Sequence, residues 1–88
     1  RMTSPLLAID TAAPRLQLAL LVGEAADTLV EDMAQGQAEH IFPALAELLG
    51  RNRLAYADLK RIAVTTGYGM TMYRYGGTAA AAVLERVP

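Results

Sequence analysis

The residues that could do chemistry are few. Asp10-Thr11 follows the apolar run Leu6-Leu7-Ala8-Ile9. A carboxylate and a hydroxyl where a strand stops can position magnesium and meet a phosphate, because such a turn aims backbone N–H groups into a cleft. The same pair also reads as a plain turn, with Asp10 accepting hydrogen bonds from neighbouring amides. Gly67-Tyr68-Gly69 follows a second apolar run. Glycines after a strand can cradle phosphate when a helix N-terminus comes next. This loop has neither the lysine nor the spacing of a P-loop and is not G-x-G-x-x-G, so a tight strand-to-helix turn needing positive φ is the competing reading. Asp10, Thr11, Gly67 and Gly69 are therefore the candidate cofactor-contacting residues. His40 is the sole histidine. A single imidazole makes no metal site, and no nucleophile is placed beside it, so it reads as a structural or interface residue at a helix start. Arg74 fits a phosphate or carboxylate contact, or a solvated arginine at a helix entry. Tyr68, Tyr73 and Tyr75 cluster with Met70 and Met72, a mixture found at interfaces and at core edges. No residue is assigned a catalytic or a metal-binding role.

Composition narrows the classes. The 88 residues suffice for one domain, and 53% are hydrophobic, which argues against disorder. A domain of this size buries roughly 60–65% of its unfolded surface, a marginal core that a partner would help. Formal net charge is −1, so no basic excess exists to neutralise a nucleic-acid backbone. The absence of cysteine removes disulfides, thiolate zinc sites and cysteine nucleophiles, and it fits a reducing compartment. The apolar run Leu18–Val22 is far below the ~20 residues of a membrane span, and Arg1-Met2-Thr3-Ser4-Pro5 leads into no signal-peptide pattern, so a cytoplasmic protein is expected.

The elements that must position these residues emerge from periodicity. Leu6–Ile9 reads as a buried strand. Leu16, Leu18, Leu20 and Val22 alternate as a second, and Gly23-Glu24 suits a hairpin turn. Thr28–Met33 reads as a third, outer strand, with Asp32 blunting its edge. The period then changes. Ile41, Leu45, Leu48 and Leu49 recur at helical spacing, with Ala38, Ala44 and Ala46 around them and Gly50 as an αL cap. Pro43 belongs near the first turn or at a kink, and Asp58 caps a short turn before Leu59. Arg61–Thr66 is a fourth strand, stopped at Gly67–Gly69. The alanine-rich Gly76–Arg86 reads as a second helix. The order β-β-β-α-β-α predicts an α/β fold: a mixed sheet carrying helices, with the fourth strand added in parallel through a crossover.

Three segments in this order resemble the TsaB (YeaZ) family, whose historical label is glycoprotease-like. Leu7-Ala8-Ile9-Asp10-Thr11 is similar to the family opening L-A-I-D-T. Ala38-Glu39-His40-Ile41-Phe42-Pro43-Ala44-Leu45 is similar to H-S-E-x-L-x-P-x-I at the first helix. Ile62-Ala63-Val64-Thr65-Thr66-Gly67 is similar to I-A-V-x-x-G. The family continues G-P-G-S-F-T-G-L-R-I-G. Here Gly67, Gly69, Thr71, Arg74 and Gly76 match with one deletion, while the proline, serine and later glycine are replaced.

The resemblance implies an RNase H-like, actin-like ATPase (ASKHA) half-domain over residues 1–88, N-terminal and truncated relative to the family. It implies a non-catalytic partner subunit in the making of threonylcarbamoyladenosine beside the tRNA anticodon, where it stabilises the TsaD transferase. A TsaE-like ATPase is a further implied partner, tRNA is reached only indirectly, and homodimers form through similar helix surfaces. ATP and magnesium enter only in the partner complex. The expected partner interface combines His40, Ile41, Ala44, Leu45 and Leu48 with Ala79, Ala82 and Val83. Two enzyme readings stand beside it: a fragment of an ASKHA kinase holding nucleotide at Asp10-Thr11 and Gly67–Gly69, and an RNase H-like nuclease with Asp10 as its first metal carboxylate, which requires further acidic residues.

Overall fold

The computed structural model describes residues 5–11, 14–33, 35–66 and 69–74, and side chains for 5–11, 14–33, 35–36 and 39–65. Strands β1 (Leu6–Asp10), β2 (Arg15–Val22) and β3 (Ala25–Asp32) precede helix α1 (Gln37–Arg51). A 3-10 turn (Tyr56–Asp58), β4 (Arg61–Thr66) and β5 (Gly69–Arg74) complete the described elements. The strands form a mixed sheet in the order β3-β2-β1-β4-β5. β1 pairs with β4 in parallel, and the other pairs are antiparallel. The first strands, the helix and the parallel fourth strand match the sequence reading.

Side-chain alternation decides which face is buried. Leu7 and Ile9 of β1, Leu16, Leu18 and Leu20 of β2, and Ile62 and Val64 of β4 share one face and are at most 4% exposed. The register places Leu7 between Leu20 and Ile62, and Ile9 between Leu18 and Val64. Helix α1 covers this face with Ile41, Ala44, Leu45, Leu48 and Leu49, all buried. Pro43 lies inside the helix, on its exposed side. The backbone bond it cannot make, to the carbonyl of Glu39, is therefore lost where water can replace it. The half-buried rings of Phe42 and Tyr56 pack at the core margin with centroids 6.5 Å apart, and burial pushes the Tyr56 phenol above its ordinary pKa.

Turn chemistry explains where the sequence reading shifts. The third strand begins at Ala25, three residues before the expected Thr28. The two-residue turn Gly23-Glu24 pairs Val22 with Ala25 and fixes the register from there. Gly23 takes the left-handed φ of 61° that its position requires. At the helix end, Gly50 is not the αL cap. Arg53 takes that role with φ 58°. Leu54 N–H donates to the Leu49 carbonyl at 3.0 Å and Arg53 N–H to that of Gly50 at 3.1 Å, the Schellman pattern. Asp58 acts as expected, accepting from the Ala55 N–H at 2.8 Å.

The largest departure comes after β4. Gly69 opens a strand, and Thr66 pairs with Gly69 in an antiparallel β4–β5 ladder. The expected strand-to-helix turn is a strand-to-strand connection instead. The expected helix Gly76–Arg86 lies outside the described residues. Among the described residues, no helix is long and apolar enough to cross a membrane.

Candidate functional site

Parallel pairing of β1 with β4 brings the C-terminal ends of both strands together. Ile9 pairs with Val64, so Asp10 and Thr65 are neighbours one residue further on. The Thr65 hydroxyl donates to Asp10 Oδ1 at 3.2 Å and accepts the Thr11 N–H at 3.2 Å. Asp10, Thr11 and Thr65 are all half-buried. The cluster borders a shallow open pocket of about 190 Å³ lined by Ala8, Ile9, Asp10, Gln17 and Ala19, on the sheet face away from α1. Small side chains at Ala8 and Ala19, which pair directly, create this hollow.

Thr65 is not among the candidates read from the sequence. The run Val64-Thr65-Thr66 carries the signal, since a hydroxyl at the end of a parallel strand meets the side chain ending its neighbour. Of the other candidates, Gly67 lies outside the described residues, and Gly69 is paired within the sheet. Gly69 leads into a strand, so it lacks the helix N-terminus that a phosphate loop needs. No three His, Cys, Asp or Glu groups converge among the described residues, and the Asp10 cluster offers a carboxylate and two hydroxyl-bearing residues, a donor set that makes no metal site on its own.

The expected partner interface divides in two. Ile41, Ala44, Leu45 and Leu48 are 1%, 4%, 0% and 0% exposed. Their face is taken by the chain's own sheet, so none of them is available to a second protein; this corrects the sequence reading. His40 is exposed, with Nδ1 3.0 Å from the Gly36 carbonyl. The outward face of α1 instead presents Glu39, His40, Pro43, Ala46 and Glu47. Ala79, Ala82 and Val83 lie outside the described residues, as do Tyr68 and Tyr75. Arg74 ends β5 opposite Arg61, and Met70, Met72 and Tyr73 are also in β5.

A second polar cluster is invisible in the sequence. Arg51, in the last turn of α1, reaches Asp27 on β3 with Nε–Oδ2 at 2.8 Å and Nη2–Oδ1 at 2.9 Å. Asn52 donates to Asp27 Oδ2 at 2.8 Å and to the Leu48 carbonyl at 2.7 Å. The hydrogen bond from Arg51, then that from Asn52, holds the Asp27 carboxyl below its ordinary pKa, and the Asp27 carboxylate raises that of Arg51.

A three-stranded antiparallel unit, a covering helix and a parallel fourth strand define a mixed α/β sheet of the RNase H-like, ASKHA class. The solved structures agree. A Pseudomonas aeruginosa protein described as uncharacterised with similarity to peptidase YEAZ matches with a TM-score of 0.70 and 28% identity, over 93% of this chain and 37% of that one. YeaZ from Pseudomonas aeruginosa matches with a TM-score of 0.71 and 26% identity, over 96% of this chain and 41% of that one. The chain is thus YeaZ (TsaB)-like in sequence and fold, and it spans about two fifths of the length of those chains. No protein-family profile matches it, and no curated protein matches it.

Proposed function

We propose that the chain serves as a TsaB-like accessory subunit in threonylcarbamoyladenosine modification of tRNA, binding and stabilising a TsaD-type transferase rather than carrying the transfer itself. The supporting observation is the match to YeaZ over nearly the whole of this chain, at 26% identity and a TM-score of 0.71. The site chemistry is consistent with it. Asp10 is engaged by Thr65, and Gly69 leads into a strand, so neither feature favours the kinase or the nuclease reading. The net charge of −1, with no basic excess to neutralise a phosphate backbone, supports a reading in which tRNA is reached indirectly.

With the inner face of α1 committed to the core, the partner face is the outward one, carrying Glu39, His40, Pro43 and Ala46. Small and rigid residues at Ala46 and Pro43 permit close approach, and Glu39 and His40 supply polar contacts at the rim.

The test is co-expression with a TsaD-type transferase and affinity capture of this chain. The proposal expects the transferase to co-elute in stoichiometric amount, and the modified nucleoside to return when the chain is supplied to cells lacking their own TsaB. Capture of the folded chain alone would refute it.

A further inference from the structure

On the docking role proposed above, we infer that the first two turns of α1 receive a cationic, donor-rich side chain of the partner, an arginine by its chemistry. This part of the outward face presents hydrogen-bond acceptors from neighbouring positions. Glu39, His40 and Pro43 are all exposed. Pro43 comes four residues after Glu39 and three after His40, so the three share one side of the helix.

The first acceptor is the Glu39 carbonyl. In an α-helix it takes the N–H of residue 43, and proline has none to give. Water serves it in the free chain, and a partner's donor replaces that water on docking. The second acceptor is His40 Nε2. His40 Nδ1 lies 3.0 Å from the Gly36 carbonyl. A carbonyl only accepts, so Nδ1 carries the proton, and Nε2 of the neutral ring keeps a lone pair for a partner. The same Gly36 carbonyl takes the N–H groups of Glu39 and His40 at 3.2 and 3.3 Å, which anchors the turn that holds the ring. The third acceptor is the Glu39 carboxylate, which when ionised can only accept.

Charge points the same way. From Gln37 to Gly50 the helix has no lysine or arginine. Arg51, the next residue, is committed to Asp27 and Glu47, and among the described residues no ion pair reaches Glu39. A guanidinium complements this surface: it has N–H donors in several directions, no acceptor, and a full positive charge to set against the Glu39 carboxylate. An acidic partner surface would set acceptor against acceptor and charge against like charge. Ala46 is about 10 Å further along the axis than Glu39. Close backbone approach at Ala46 and capture of a cation at Glu39 are therefore separate parts of one face.

Pro43→Ala is the informative substitution, because it returns an N–H to the Glu39 carbonyl. It should raise the melting temperature and yet weaken docking, whereas a purely structural role for Pro43 gives no such opposition. The measurement is calorimetric titration of the folded chain with a TsaD-type transferase, with circular dichroism reporting the fold and its melting. Expected losses of affinity are about tenfold for Glu39→Gln, and about threefold each for Pro43→Ala and for His40→Phe, which keeps a ring and drops the acceptor. The double variant E39Q/P43A should lose less than the product of its two single losses, because one guanidinium serves both acceptors. Wild-type affinity in folded E39Q overturns the inference and leaves the docking role standing, as do single losses that simply multiply in the double variant. Absence of binding by the folded wild-type chain overturns both.

Discussion

Thr65 and Asp10 join the ends of two parallel strands through a hydroxyl–carboxylate hydrogen bond of 3.2 Å, and the same hydroxyl takes the N–H of Thr11. The bond ties β4 to the turn after β1.

Thr65→Val keeps the shape and removes both bonds. Leaving a half-buried carboxylate and N–H without this partner costs about 1–3 kcal/mol. Urea unfolding should show a lower midpoint with an unchanged slope, and Thr65→Ser should restore most of the loss.

Leu45→Ala probes the corrected helix face. Leu45 is 0% exposed beneath the sheet, so truncation leaves a cavity and costs about 2–5 kcal/mol. Against a total of about 5–15 kcal/mol for a domain, that is severe. Ala46→Ser, one residue on and exposed, should stay within about 0.5 kcal/mol. Equal effects at the two positions in thermal unfolding would contradict the assignment of faces.

Arg53 offers a stabilising change. It sits at φ 58°, where a side chain costs about 1 kcal/mol that glycine avoids. Arg53→Gly should raise the melting temperature by about 4–8 °C, and Arg53→Ala should not.

The Asp27–Arg51 pair predicts a pH signature. The folded carboxyl titrates below its ordinary value, so its contribution is present above that value and is lost as pH falls through the folded pKa. The difference in melting temperature between wild type and Asp27→Asn should hold above the ordinary carboxylate range and should close as pH falls through and below it. Because both groups are substantially exposed, the difference should be small and should shrink with added salt.

Much of this architecture is legible in the residues. The alternation Leu16-Leu18-Leu20 and the spacing Ile41-Leu45-Leu48 each name one periodicity, and each locates an element. Asp10-Thr11 marks a strand end for the same reason. The features that escape a sequence reading depend on pairing. Thr65 matters only because β4 lies beside β1, and Arg51 only because α1 ends over β3. Strand β5 is hidden because Gly69-Met70-Thr71-Met72-Tyr73-Arg74 sits between glycines and reads as a loop entering a helix, whereas pairing with β4 is what makes it a strand. The helical spacing of Ile41, Ala44, Leu45 and Leu48 locates an apolar stripe correctly but does not say whether a sheet or a partner covers it.

The central claim is that this chain docks on a transferase through the outward side of α1. Titrating a purified TsaD-type protein with the chain by calorimetry tests it directly. Saturable binding is expected, weakened at least tenfold by Ala46→Glu, a substitution that leaves the fold intact. Absence of binding by the folded chain, or full-strength binding by folded A46E, would contradict the account.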